Sequence, residues 1–290
     1  MKRFFHSFPF QREGVAVAVA AIAIAMVGGS LFAQEGVGAP ERIDLSNFPG
    51  EIVDKVVVPI PAEIFAVLGK LDEPNWTGAI SIPESTGDTT ERAILALTFG
   101  SLVGEGFIAV QAKSGEEIQK IGREVLSVSE SLGLANAVRP HSLAIIEAAG
   151  SRDWERVREE LDSTQQTVRM TMEKLRDDEL SELVSLGGWL RGTNVVTTLI
   201  REAFREDKAE LLNQPGLITY FREMLGSMKG PSKSSPQIRT ILTGLARMEA
   251  IITDKGGISE EDIKELSEIS LSMLEEYYFV TKSPEGKTGN

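Results

Sequence analysis

Glu105 is the side chain whose position most clearly suggests chemistry, because it lies in an apolar run between Gly104 and Gly106. A carboxylate is expensive to bury without a partner. We therefore expect Glu105 either to reach solvent through the gap left by the two glycines or to pair with a cation. Arg191, within "LGGWLRG", and Arg139 are the candidate partners. A buried pair of this kind is more typical of a structural contact between helices than of catalysis.

Residues of the kinds that enzymes use as nucleophiles or metal ligands are scarce. The chain has no cysteine, and its two histidines are His6 and His141. A hydrolase triad would have to use His141, which no Gly-x-Ser-x-Gly motif accompanies. A Glu-x-x-His pair and a phosphate-binding loop ending in Lys-Ser or Lys-Thr are also missing. The sequence therefore predicts no metal or other cofactor and argues against an enzyme.

Four aromatic residues give an alternative, a small-molecule site between helices. Phe99, Phe107, Trp189 and Tyr220 lie in three predicted helices and could line an apolar pocket. Large aromatic side chains are more often part of a helical core than of a ligand pocket. The sequence leaves both interpretations open.

The elements that would position these residues are predicted to be helices from Pro61 onward. Apolar residues recur at spacings of three and four, and turn residues separate the periodic stretches. "AVRPHSLAIIEAAG" predicts a short helix that begins after Pro140. We expect an all-α fold, either a single multi-helix antiparallel bundle or an irregular array of helical hairpins, with roughly eight or nine helices.

One predicted helix spans residues 89–112, and its stretch from Ile94 to Val110 is apolar on all sides except at Glu105. Ala96, Gly100 and Gly104 recur in it every four residues. Glycine destabilises a helix by about 1 kcal/mol relative to alanine, so this spacing indicates close approach of another backbone. A membrane span would have a similar composition, but Glu105 and the charged helices around this stretch favour the core of a bundle.

The first 33 residues have the pattern of a secretory signal peptide. Three basic residues precede an uncharged apolar run of thirteen residues, 15–27, which is shorter than the about 20 that a membrane span needs. We expect cleavage after Ala33. An uncleaved inner-membrane anchor is the alternative, because Leu31 is large for its position before the cut. A buried first helix is the third interpretation. Cleavage and anchoring both predict a periplasmic or secreted protein.

The composition of the rest of the chain predicts the boundaries of its other segments. Residues 34–60, rich in Gly, Pro and Val, predict an extended tether without a partner strand, laid along the helices. The helical domain spans 61–280. A Pro- and Ser-rich loop at 226–236 would allow 236–280 to form a C-terminal hairpin. The tail, 281–290, is expected to be disordered.

Charge and composition narrow the function. The net charge of −13 disfavours nucleic acid and anionic lipid surfaces as partners. We expect an exported, noncatalytic helical protein of the bacterial envelope that binds an envelope or secreted protein, with no membrane span after signal removal. The alternative is a small-molecule-binding bundle. An enzyme that uses carboxylates alone is the third hypothesis.

Overall fold

The computed structural model describes residues 50–53, 56–59, 74–83, 89–253 and 256–280. The predicted signal peptide or anchor at 1–33, most of the tether and the tail at 281–290 lie outside the described residues. The predicted start of the helical domain at Pro61 lies outside them as well.

Two short strands, β1 (Gly50–Val53) and β2 (Val56–Pro59), form an antiparallel pair in which Ile52 lies opposite Val57. Both strands lie within the segment 34–60, and because they pair with each other, the expectation of no partner strand is wrong. The reason is that β-branched residues stand on both sides of the two-residue connection, and such residues favour strand pairing.

The described residues contain eight helices of 13 residues or more, together with shorter helical turns, which confirms the predicted all-α array. The eight long helices are α1 (Arg92–Gln111), α2 (Gly115–Leu132), α3 (Ala135–Ser151), α4 (Trp154–Lys174), α5 (Asp178–Glu202), α6 (Pro215–Ser227), α7 (Pro236–Thr253) and α8 (Glu260–Glu275). A single helical turn, Trp76–Ala79, precedes α1.

Local signals in the sequence set some of the helix ends. Asp153 accepts a hydrogen bond from the amide of Arg156 at the start of α4. Ser259 and Asp262 form a capping box at the start of α8. Gly133 follows α2 with φ of 78°, a conformation that glycine adopts without strain. Successive helices therefore pack as hairpins joined by short connections.

The start of α3 differs from the prediction. This helix begins at Ala135, so Pro140 lies inside it rather than before it. The amides of Ala137 and Val138 both bond to the carbonyl of Leu134 and establish the first turn ahead of the proline. Pro140 is the sixth residue of the helix and has no amide hydrogen to donate to the carbonyl of Asn136, so one hydrogen bond of the helix is missing there.

Helices α1 and α5 form the centre of the structure. Every residue of α1 from Ala93 to Val110 is buried, and α2, α4 and α5 pack around it, while α8 packs on α5. Among the described helices, α1 is the one with the length and composition to cross a membrane. Its apolar window is wholly covered by other parts of the chain, as is typical of a core helix.

The backbones of α1 and α5 approach closely at two glycines. A Cβ atom on Gly100 would lie 1.9 Å from the carbonyl oxygen of Val184, and one on Gly187 would lie 2.1 Å from that of Leu97. Neither position accepts a larger residue without movement of the backbone. The predicted close approach at the repeated small residues is therefore present, and it brings Glu105 on α1 next to Arg191 on α5.

Candidate functional site

A buried ion pair joins the two central helices. Arg191 Nε donates to Glu105 Oε2 over 2.5 Å, and Arg191 Nη2 donates to Glu105 Oε1 over 3.1 Å. The side chains are 2% and 0% exposed, respectively. Two parallel bonds of this kind fix the orientation of both groups. The structure thus pairs Glu105 with Arg191, in the arrangement considered from the sequence.

Backbone groups of the segment before α1 make further hydrogen bonds to the ion pair. Arg191 Nη2 also donates to the carbonyl oxygen of Ala79 over 2.7 Å, and the amide of Ser81 donates to Glu105 Oε1 over 2.7 Å. Arg191 Nη1 donates to Asn194 Oδ1 over 3.0 Å. We call these five residues the Glu105 cluster. The ion pair therefore holds residues 79–81 against α1 and α5.

The end of the described chain covers the Glu105 cluster with aromatic rings. The hydroxyl of Tyr278 donates to Glu105 Oε2 over 3.5 Å, and the ring of Phe279 lies 5.7 Å from Arg191 Cζ, within cation–π range. The hydroxyls of Tyr277 and Ser101 are 2.9 Å apart. These contacts bind residues 277–279 to the central crossing and leave the ion pair out of contact with solvent.

The protonation states around the pair are fixed at neutral pH. Burial raises the pKa of Tyr277 and of Tyr278 well above the usual value, and for Tyr278 the charge of Glu105 adds to the effect. Burial works to lower the pKa of Arg191, but Glu105 more than offsets it and the pKa is raised. Neutral tyrosines and a permanent cation are poor acid–base catalysts near pH 7. The arrangement is that of a structural contact.

The second candidate cation, Arg139, is not the partner of Glu105. It lies on α3, where Nη2 is 3.1 Å from Oε1 of Glu130, and the two side chains are 51% and 55% exposed. Helix α3 packs against α2 and α4, and periodicity alone could not show that this arrangement keeps Arg139 away from Glu105.

The four aromatic residues considered for a pocket belong to the core or its edge. Phe99, Phe107 and Trp189 are buried, and Tyr220 is half-buried with its hydroxyl 3.2 Å from Oε1 of Glu182. Phe99 and Phe107 are separated along α1 by about 12 Å. Trp189 borders a cavity of about 10 Å³ that the other three do not line. That volume has room for about one water molecule.

Among the described residues, His141 makes a contact that resembles a catalytic arrangement. Its Nδ1 is 2.8 Å from Oε2 of Glu160 and its Nε2 is 3.0 Å from Oγ1 of Thr167. This order of carboxylate, imidazole and hydroxyl is that of a hydrolase triad. Thr167, however, lies within α4, where the amides bond along the helix and none remains to stabilise an oxyanion. The contact joins α3 to α4.

Metal ligands are not grouped in the part of the chain that the structure describes. Those residues contain no cluster of three or more His, Asp or Glu side chains that could hold a metal ion. The many carboxylates of this acidic chain lie mostly on solvent-facing sides of helices, as at Glu130 and Glu173.

An open groove between α7 and α8 was not identified from the sequence. It measures about 380 Å³. Its polar rim consists of Arg239, Thr240, Thr243 and Arg247 on α7 and Ser272 on α8, and its floor consists of Pro236, Gly244, Ile269 and Met273. A Cβ atom on Gly244 would lie 2.4 Å from Sδ of Met273, so this glycine lets α8 approach. The spacing of the two arginines on one helix face was a usable signal.

Comparisons with known proteins give no guide to function. The chain matches no protein-family model, and neither its sequence nor its fold shows significant similarity to a curated protein or to a solved structure. The geometry of the described residues is therefore the basis for the proposals that follow.

Proposed function

We propose that this chain is an exported, noncatalytic helical protein that acts by binding a protein partner. The observation that carries the proposal is the open groove between α7 and α8, the side chains of which are exposed on the rim and apolar on the floor. A polar rim around an apolar floor is the general composition of a protein-binding surface.

The inaccessible Glu105 cluster supports the noncatalytic part of the proposal. An acid–base site needs a group that substrate can reach and that changes protonation near the working pH. Glu105 and Arg191 are enclosed by residues 79–81 and 277–279, and their hydrogen bonds are made to protein groups. The cluster therefore fits a role in stability.

The small-molecule alternative has weaker support. A ligand pocket usually measures about 300–1,000 Å³ and encloses most of the ligand. The cavity beside Trp189 measures about 10 Å³, and the groove of about 380 Å³ is open along one side. An open groove of this size is better suited to a segment of another protein.

The export part of the proposal rests on residues 1–33 of the sequence. Their basic start, short apolar run and small-residue end favour a cleaved signal peptide. Mass spectrometry of the protein isolated from the cell envelope is the test. A chain that starts at Gln34 supports cleavage, whereas an intact N-terminus indicates an anchor, and recovery from the cytoplasm alone contradicts export.

Site-specific photocrosslinking in the native envelope fraction tests the binding role. A photoreactive phenylalanine replaces Thr243 on the rim of the groove or, as the control, Arg123 on the exposed face of α2. We expect a discrete protein adduct from position 243 and none from position 123. Absence of an adduct from position 243, or equal labelling from both positions, contradicts partner binding through this groove.

A further inference from the structure

We infer that the groove between α7 and α8 binds an extended acidic segment of a protein partner, through carboxylates at both of its ends. The inference rests on the proposed function and specifies the chemistry of the partner. The charged residues among those that line the groove are two arginines, although the chain has a net charge of −13, so the lining favours an anionic partner.

The charges that face the groove leave one guanidinium without a partner. Arg247 Nη2 lies 3.1 Å from Oε1 of Glu265, and these side chains are 60% and 46% exposed. Arg239 makes no ion pair within the described part of the chain, and it lies two turns away on the same helix. A carboxylate from a partner would pair with Arg239 directly, and a second one would compete with Glu265 for Arg247.

Two hydroxyl groups on the rim are available as further donors. The side chains of Thr240 and Ser272 make no hydrogen bond within the described residues, whereas Thr243 Oγ1 donates to the carbonyl oxygen of Arg239 over 2.9 Å. Hydroxyl donors beside a guanidinium suit the several lone pairs of a carboxylate. Thr240 and Arg239 both line the groove.

The spacing of the arginines favours a peptide over a single small anion. Eight residues separate Arg239 from Arg247, which corresponds to about 12 Å along a helix. An extended peptide advances about 3.3 Å per residue, so acids at positions i and i+4 lie about 13 Å apart. The spacing of the two helix positions therefore matches two acids of one extended segment.

The apolar floor specifies the residue between the two acids. In an extended peptide, side chains at i, i+2 and i+4 point to one side. When the acids contact Arg239 and Arg247, the side chain at i+2 faces Ile269 and Met273, which are buried beneath the groove. The recognised pattern is therefore acid–x–apolar–x–acid.

Selection from a phage-displayed library of random peptides tests this pattern. We expect the full chain to enrich peptides with two acids four positions apart and an apolar residue between them. A synthetic peptide of the enriched sequence should bind Arg239→Gln about two- to fivefold more weakly than the unsubstituted protein, as expected for an exposed ion pair. Binding should also weaken as salt is raised.

Arg123→Gln is the matched control, because Arg123 is exposed on α2 and makes no ion pair within the described residues. This variant should bind the peptide as the unsubstituted protein does. Equal thermal midpoints for the two variants exclude an effect of unfolding. Enriched peptides without paired acids, or equal binding by Arg239→Gln, would overturn the inference. Displacement of the peptide by millimolar inorganic phosphate would overturn it in favour of a small-anion site.

The failures of the two proposals are distinguishable. A crosslinked partner at position 243 together with selection of non-acidic peptides would leave the binding function standing and overturn the acidic partner. Selection of the acidic pattern without a crosslinked partner would support the chemistry of the groove and contradict the proposed function.

Discussion

Arg191 and Arg239 occupy opposite environments in the same chain. Arg191 lies at the crossing of α1 and α5, where all three of its side-chain nitrogens donate hydrogen bonds to protein acceptors. Arg239 is exposed on α7 and pairs with no carboxylate among the described residues. The comparison shows that a buried charge needs hydrogen-bonding partners within the fold, because an uncompensated buried charge is strongly destabilising. An exposed charge is solvated by water and can remain available to another molecule.

The largest expected effect comes from leaving the buried carboxylate without its cation. Arg191→Met should lower the free energy of unfolding by about 3–5 kcal/mol, because Glu105 then remains buried as an uncompensated charge. Arg139→Met, in the exposed pair with Glu130, should lower it by at most about 1 kcal/mol. Urea denaturation of both variants makes the comparison.

A double substitution sharpens that result. Glu105→Leu combined with Arg191→Met removes both charges, so it should recover part of the stability lost in Arg191→Met alone. Recovery should be incomplete, because the carbonyl of Ala79 and the amide of Ser81 lose their hydrogen-bond partners. A double variant as unstable as the sum of the two single variants would show that the charges are not coupled.

The close crossing that aligns the pair is the next feature to disturb. Gly100→Ala would place a Cβ atom 1.9 Å from the carbonyl oxygen of Val184, and we expect a loss of about 1–3 kcal/mol from overpacking. Gly104→Ala is the control on the same helix. Its Cβ would lie 3.4 Å from the nearest atom, so helix propensity should make it neutral or more stable by up to about 1 kcal/mol. Similar midpoints for the two variants would contradict the described crossing.

High pH should weaken the packing of residues 277–279 over the Glu105 cluster. The pKa of Tyr277 and of Tyr278 is raised by burial in the folded protein, so the neutral form is favoured there more than in the unfolded chain. This contribution is fully present below the usual tyrosine pKa of about 10 and is lost as pH rises beyond it. The free energy of unfolding should therefore fall above about pH 10. Tyr278→Phe should show a shallower fall, and an unchanged slope would contradict burial of its hydroxyl.

A smaller effect is expected at Asp162 on α4. Burial raises the pKa of this carboxyl, against the opposing charge of Arg158, and its Oδ1 has no hydrogen-bond partner within the described structure. Its ionised form is disfavoured on folding, so the penalty appears as pH rises above the usual value near 4. Asp162→Asn should stabilise the protein by roughly a few tenths of a kcal/mol at pH 7 and by less at pH 3. Glu159→Gln, exposed on the same helix, should show no such gain.

The central part of the fold was partly predictable, because buried helices need long apolar stretches and small residues where backbones approach. A lone carboxylate in an apolar helix and glycines at four-residue spacing indicated that another backbone approaches α1 closely near Glu105. The capping box at Ser259 and Asp262 likewise gave the start of α8. Each of these signals reflects a free-energy cost that only one local arrangement relieves.

The remaining features depend on which helix faces meet, and periodicity does not contain that information. Arg139 and Arg191 were equivalent candidates until the packing placed one outside and one inside. The contacts of Ala79 and Ser81 use backbone groups, which carry no sequence signature. Neither the sequence of α7 nor that of α8 predicts the groove by itself. Their approach at Gly244 brings Arg239 and Ser272 to one surface.

Hydrogen exchange at the amide of Ser81 is the most direct test of the contrast between the closed cluster and the open groove. This amide donates to Glu105 Oε1 over 2.7 Å although it belongs to a nonhelical segment. We predict that it exchanges only with the opening of the core, with a protection factor close to those of the central amides of α1. Exchange as fast as that of a solvated loop would contradict the account, because the ion pair would then be open to water and available for chemistry.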